Sequence, residues 1–349
     1  MGTKACGAFV RKITGAAITG ASLLITAAVA PVYAQPVPVA PYTISQFALS
    51  DGTTFFDPDS VTYSRAKGKV WIGYGNGGNP DGSGGAQSTI VEYDLIGNVK
   101  RTFTVAGHND GLKFQPSTGL VWAMQNEDAN PNLVIIDPAL GTKKIYNVTP
   151  TAHGGGYDDI VFVDDKVYFS ASNPANNPNN GPAVVRLTSL SGTTATVAPA
   201  FLGTDTAFDV ATQTHISLNL QDPDSMISDP FGDIVLDSQA DHEIIIKRAA
   251  GTAGPRLVRI PVSLAGAGSV EINDTVFVDA IAGQMLITDT DGQTTYSLKT
   301  TYWAPGKTFS AADANGAVGP IDLATGIITP VVTGLVHPNG LLFIPASAD

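Results

Sequence analysis

Carboxylates and imidazoles recur in this chain at a spacing that could gather them in one place. Six segments share one form: a polar residue, a turn residue, an acid or its amide, a small residue, then an apolar run. They read Asp57-Pro58-Asp59-Ser60-Val61, His108-Asn109-Asp110-Gly111-Leu112 and Tyr157-Asp158-Asp159-Ile160-Val161. The others are Asp222-Pro223-Asp224-Ser225-Met226, Ile272-Asn273-Asp274-Thr275-Val276 and His337-Pro338-Asn339-Gly340-Leu341. Their central positions (Asp59, Asp110, Asp159, Asp224, Asp274 and Asn339) are 51, 49, 65, 50 and 65 residues apart. Oxygen ligands converging on a point suit a hard divalent cation, calcium first. Without a cation or amide donors, carboxylates held that close raise one another's pKa. The same residues also have a structural use, since an Asp or Asn ahead of a strand accepts hydrogen bonds from turn amides. The pattern admits both.

Histidine breaks the sixfold pattern. His108 and His337 stand two residues ahead of Asp110 and Asn339, and His153 precedes the third repeat in His153-Gly154-Gly155-Gly156. If the three face one place, they could bind zinc or copper, or one could act as a general base. The plainer role of each is to hydrogen-bond within its turn. His215 and His242 read as surface or strand residues.

The elements that must position these groups are short strands. Each of the first five repeats leads to a second apolar run: Val70-Trp71-Ile72, Leu120-Val121-Trp122, Val167-Tyr168-Phe169, Ile234-Val235-Leu236 and Met285-Leu286-Ile287. A third strand often follows and closes at a turn, as in 90–97, 133–141 and 318–326. Three strands and a turn at a period near fifty residues predict the blades of a β-propeller. One blade cannot cover both its faces, whereas a closed ring covers them all. The expected fold is therefore all-β, a six-bladed propeller of four-stranded antiparallel blades around a central channel. The strand at 43–50 is expected to complete the blade whose inner strand is 340–345. Residues 300–335 hold more strand-like sequence than one gap needs, which is compatible with a seventh blade or a long insertion around Tyr302-Trp303-Ala304-Pro305.

Composition narrows the function. Residues 1–34 have the layout of a secretory signal: Lys4, Arg11 and Lys12, a small and apolar run from Ala16 to Ala30, then Val32-Tyr33-Ala34. That run is too short to span a bilayer. Cleavage is expected after Ala34, leaving 35–349 as a single propeller domain, periplasmic or extracellular and monomeric, with no further membrane insertion. Cys6, the only cysteine, lies in the signal. Disulfides, thiolate catalysis and cysteine zinc sites are thereby excluded. All 31 acidic residues follow residue 34, while three of the 19 basic ones precede it, so the exported chain is more acidic than the formal −12 of the whole. Such a charge argues against nucleic acid and anionic lipid as partners. No organic cofactor motif is present. The glycine-rich stretch 75–85 lacks the lysine and helix of a phosphate loop, and no G-x-S-x-G elbow accompanies the His153 motif. Asp289-Thr290-Asp291-Gly292 lacks the downstream Glu of a calcium loop and reads as a hairpin turn.

His337-Pro338-Asn339-Gly340-Leu341-Leu342-Phe343 is similar to the P-N-G-apolar turn of the NHL / SMP-30 (gluconolactonase-like) propeller superfamily. His108-Asn109-Asp110-Gly111-Leu112, with Gly119-Leu120-Val121-Trp122 after it, resembles that family's P-D-G-apolar turn and L-W-V strand. YncE-like exported propellers are resembled to about the same degree. For the lactonase branch the resemblance implies a divalent cation in the channel, usually calcium, with Asp110 and Asn339 among its ligands. It also implies hydrolysis of a lactone or related ester. The family's first-blade Glu-Gly-Pro is replaced here by Asp57-Pro58-Asp59. The functional expectation is an exported propeller that binds a small ligand, a metal or a partner protein at the channel mouth. The alternatives are a metal-dependent lactonase and a propeller lyase using the channel histidines.

Overall fold

The computed structural model describes residues 35–346; the expected signal and Cys6 lie outside them. The first blade is Pro58–Ser64, Lys69–Tyr74, Gln87–Asp94 and Val99–Ala106, paired antiparallel in that order. The second is Asn109–Gln115, Leu120–Gln125, Asn132–Asp137 and Thr142–Thr149. The third is Ile160–Val163, Lys166–Ser170, Pro182–Ser191 and Thr194–Leu202. The fourth is Pro223–Ser228, Ile234–Ser238, Glu243–Lys247 and Leu257–Pro261, extended at its outer edge by Thr206–Asp209 and Thr214–Ser217. Those two added strands account for the first of the two 65-residue spacings.

The last two blades are interlocked. The fifth joins Ile272–Phe277 to Thr308–Ala312 and Ala317–Asp322, with Ile327–Ile328 and Val332–Thr333 at its edge. The sixth joins Pro338–Pro345 to Gly283–Asp289, Thr294–Lys299 and Thr43–Leu49. After the fifth inner strand the chain thus crosses to the sixth blade for two strands. It returns to finish the fifth, then crosses again to supply the sixth inner strand. The apolar run 285–287 accordingly pairs with 341–343 and not, as the spacing suggested, with the repeat just before it. Residues 300–335 are neither a seventh blade nor an insertion but the outer part of the fifth blade. The strand at 43–49 does complete the sixth.

Closure is visible in the packing. Consecutive inner strands touch all round the ring, and the sixth touches the first. Six apolar clusters fill the six gaps between blades. One joins Trp71 and Ile90 to Leu112 and Val134, the next Met124 and Leu133 to Phe169 and Val185. The cluster of Val70, Val91, Leu286 and Ile344 seals the sixth blade to the first. Second strands are covered on both faces, so KVWIGY and IVLDS are buried almost throughout. Outer strands face solvent on one side and read VKRTFTVA or TKKIYNVT, largely exposed. Continuous and alternating apolar patterns thus mark depth within a blade.

Trp303 pins the crossing. Its ring lies edge-on to Tyr42, Phe309 and Phe343 at 5.6, 5.5 and 5.3 Å, and its indole N–H donates to Gly283 O at 3.1 Å. These partners come from the N-terminal segment, the fifth blade and the sixth. Trp303→Ala is expected to cost about 3–5 kcal/mol, as emptying a buried aromatic site does. A urea titration should show the midpoint falling with its slope unchanged.

Candidate metal centre

Each inner strand opens on a β-bulge, and the bulge decides which side chains reach the channel mouth. In the first blade Pro58 faces Tyr74 and Val61 faces Ile72, so two residues oppose one. The same slip separates Asn109 from Leu112, Pro223 from Met226 and Ile272 from Thr275. In the sixth blade it falls between Pro338 and Leu341. In the third, Asp158 N donates to Ser170 O and Ser170 N to Asp159 O, both at 3.2 Å. The first bulge position is therefore Asp59, Asp110, Asp158, Asp224, Asn273 and Asn339. The second is Ser60, Gly111, Asp159, Ser225, Asp274 and Gly340.

All six first-position side chains line one cavity of about 400 Å³ at the mouth. Asp59, Asp110, Asp224 and Asn339 are thus brought together as the repeat suggested. Asp159 and Asp274 are not among the lining residues: their predecessors Asp158 and Asn273 occupy the ring. The reason is the twofold alternation of a strand, by which a one-residue offset turns a side chain to the opposite side.

Asp159 and Asp274 instead tie inner strands together below the mouth. Met226 N donates to Asp159 Oδ2 at 2.8 Å, and Leu341 N to Asp274 Oδ2 at 2.7 Å, each bond reaching the next inner strand. Lys113 Nζ lies 2.8 Å from Asp159 Oδ2. Burial lowers the Lys113 pKa, but the charges of Asp159 and Asp274 outweigh it and the ammonium is held above its ordinary range. Burial, partly offset by Lys113, pushes Asp274 up to about 7. At two other second positions the neighbouring backbone comes so near that only glycine fits. A Cβ on Gly111 would fall on Asp158 O, and one on Gly340 on Asp59 O.

The mouth itself is strongly acidic. Burial, with the charge of Asp110 beside it, pushes Asp59 up to about 7, against the opposing pull of His108 and a hydrogen bond from Asn339. Burial also raises Asp110, with His108 opposing. Burial drives Glu127, Asp158 and Asp224 well above the carboxylate range, and the charges of Asp110, Asp224 and Asp222 respectively add to it. Asn273 Nδ2 donates to Asn339 Oδ1 at 3.1 Å. The loops at this end (between second and third strands, and between each outer strand and the next inner one) contain no lysine or arginine.

Two of the three histidines reach this cavity. His108 Nε2 is 3.1 Å from Asp110 Oδ1, and its Nδ1 is 2.9 Å from Gly78 O. Burial pulls His108 down, but the hydrogen bond and charge of Asp110 prevail and push it up. His337 Nε2 lies 2.6 Å from Asp313 Oδ1, while Gln239 Nε2 donates to Asp313 Oδ2 at 2.9 Å. Asp313, by its hydrogen bond, raises His337. His153 is buried outside the cavity lining, with Nε2 2.6 Å from Gly156 O, and burial lowers its pKa. Its Gly-Gly-Gly sequence answers to packing: a Cβ on Gly155 would meet Ser172 O and one on Gly156 would meet Asn126 O.

A cation fits the donors present. One ligand atom each from Asp59, His108 and Asp110 lies within 4.8 Å of the others. Asp110 Oδ2 is buried with no hydrogen-bond partner, on a residue 7% exposed. Of the residues the repeat did not reveal, Asp158 and Asn273 were one position from those singled out. Glu127, Gln239 and Asp313 lie on loops with no repeated motif, and no sequence signal marks them.

The register makes two expectations. Asp159→Ala should cost about 3–5 kcal/mol, because it strands the Lys113 charge and the Met226 amide in the interior. Asp158→Asn should be neutral or stabilising in chelator-treated protein; equal losses in urea titrations of the two variants would contradict the offset. The pH dependence follows from Asp59 at about 7 in the folded chain, against about 4 unfolded. Between those values the folded state holds a proton the unfolded state has released. The contribution of Asp59 to cation-free stability is therefore fully present below about pH 4 and is lost as pH rises from about 4 to 7, which thermal melts across that range would show.

No protein-family model and no curated protein matches the chain. Similar solved structures include a streptogramin B lyase, at 16% identity over 81% of this chain and 71% of that one, TM-score 0.45. Virginiamycin B lyase from Staphylococcus aureus shows 12% identity over 88% and 90%, TM-score 0.41. The Pseudomonas aeruginosa periplasmic gluconolactonase shows 10% identity over 88% and 99%, TM-score 0.47. None of these likenesses assigns a role to a residue of this chain.

Proposed function

We propose that the mouth binds a divalent cation on Asp59, Asp110 and His108 and uses it to hold a small, oxygen-rich ligand in the cavity above. The observation that carries this reading is the buried, unpartnered Asp110 Oδ2 within a three-residue donor cluster. Further carboxylates at Glu127, Asp158 and Asp224 and the amide of Asn339 favour calcium, which takes six to eight oxygens. With no lysine or arginine at this end, an anionic ligand would have only the cation to meet, so a neutral ligand such as a polyol or lactone is the better fit. The basic, apolar and small-residue order of residues 1–34 supports action outside the cytoplasm.

Hydrolysis of a lactone or ester is a second reading, favoured by one observation. His337, held by Asp313, lines the same cavity as the cation donors and could take a proton from water there. In this scheme the cation would polarise the carbonyl. The same histidines would serve a lyase.

Thermal melts with calcium and with chelator test the first reading. Saturation at about a hundred times Kd should add about 2.7 kcal/mol of stability. Asp110→Asn should abolish that shift while the protein stays folded; no shift with calcium, magnesium or zinc would end the proposal. Proton release from a lactone panel tests the second reading. His337→Gln should then lower turnover while the calcium shift persists.

A further inference from the structure

The strand directions divide the molecule's charge along its axis. The end remote from the mouth is made by the turns between first and second strands and between third and fourth strands, and by the two crossings at 278–282 and 300–307. Apart from Arg186, every lysine and arginine of the described residues lies on those segments or within three residues of them, with Lys113 turned to Asp159 and Arg259 to Glu243 and Asp209. Acids are present at this end too: Asp94, Asp137, Asp229 and Asp322 accept amide hydrogen bonds inside their own turns. Glu92, Asp94 and Asp233 pair with Lys69, Lys100 and Arg248, and Asp164, Asp165 and Asp279 are exposed. Bases outnumber acids here, whereas the loops at the mouth have no lysine or arginine. The net negative charge that argued against anionic lipid is a property of the opposite face.

Exposed apolar side chains follow the same division. Ile96, Leu140, Phe231, Ile281 and Tyr302 are 80%, 75%, 84%, 61% and 62% exposed, and each stands on a remote-end turn. Among the described residues the only other large apolar side chain above 60%, Val37, is in the N-terminal edge strand, and Leu49, at the mouth end, is 55% exposed. Single exposed apolar residues are ordinary; the gathering of the four most exposed at one end of the molecule, among its bases, is not.

The Phe231 turn shows the combination locally. A Cβ on Gly232 would lie 3.8 Å from Val163 and 3.9 Å from Ala249, which places the turn beside those two segments. The adjoining bases are Lys166, Lys247 and Arg248, with Arg256 and Lys166 near enough to Lys247 to lower its pKa after burial has done so.

We infer that this end docks on an anionic lipid surface, its apolar tips entering the headgroup layer and its bases meeting lipid phosphates. A protein partner would call for a contiguous apolar patch that packs. Separate tips on separate blades, each beside flexible cations, match an interface that needs no fixed shape. Docked this way, the propeller holds its acidic mouth away from the membrane and open to solvent. The inference is independent of what the mouth binds.

Co-sedimentation of the purified protein with vesicles tests it. Vesicles of phosphatidylcholine with one quarter phosphatidylglycerol should pull the protein down at low salt. Pure phosphatidylcholine should not, and 0.5 M salt should release it. Lys166→Glu with Lys247→Glu, and separately Phe231→Ser with Ile281→Ser, should each weaken binding about tenfold or more. Both pairs are exposed or half-buried, and unchanged far-UV circular dichroism and melting temperature would show that they fold. No sedimentation with anionic vesicles overturns the inference. So does binding that ignores the Phe231 and Ile281 changes while heparin competes for it, since that pattern marks a soluble polyanion and not a membrane.

Discussion

The two-against-one bulge at the start of each inner strand is the constraint from which the rest of this structure follows. Successive side chains of a strand turn to different sides, and a bulge adds one residue that the partner strand does not match, so two residues open each inner strand where the partner has one. Repeated in every blade around a closed ring, it produces two rings of side chains in place of one. The upper ring, Asp59 to Asn339, faces the mouth. Three residues of the second ring bind inner strands to each other, while Ser60 and Ser225 also border the cavity. Ser60 Oγ donates to Asp110 O, Asp159 accepts from Met226, and Asp274 accepts from Leu341. Where no side chain does this, glycine lets the neighbouring backbone close in, as at Gly111 and Gly340.

The two rings put acids into opposite circumstances. Asp159 has a buried ammonium and an amide to satisfy it, so its charge serves the fold. For Asp158, the residue before it, burial and the charges of Asp224 and Glu127 push the pKa well above the carboxylate range. Neighbouring residues of the same type thus differ in whether the protein itself supplies their counter-charge. At the mouth it does not, apart from His108 and the more distant His337. That leaves a cluster of carboxylates that the protein itself does not neutralise.

Charge is also arranged at the scale of the whole molecule. The loops around the mouth lack lysine and arginine, and nearly all the bases crowd the other end. A propeller makes such a division simple, because each strand carries its residues to one end or the other and turns alternate between the two. A single net charge of −12 for the chain describes neither end.

The sequence by itself determined the propeller architecture, the inner strands and the position of most mouth acids, because each repeat pairs a turn signal with an apolar run that only stacking between blades can bury; it left six and seven blades open. It did not determine register. Asp158-Asp159 and Asn273-Asp274 each offer two polar residues, and only the pairing of Ile160 with Phe169 and of Thr275 with Ser310 decides which one reaches the cavity. Nor did it determine connectivity. A strand and a turn read alike whether the next strand joins the same blade or its neighbour, and the crossing of 283–299 into the sixth blade is fixed by long-range packing around Trp303. Glu127, Gln239 and Asp313 came to the site by the same route: their positions depend on where distant blades stand, which no local pattern encodes.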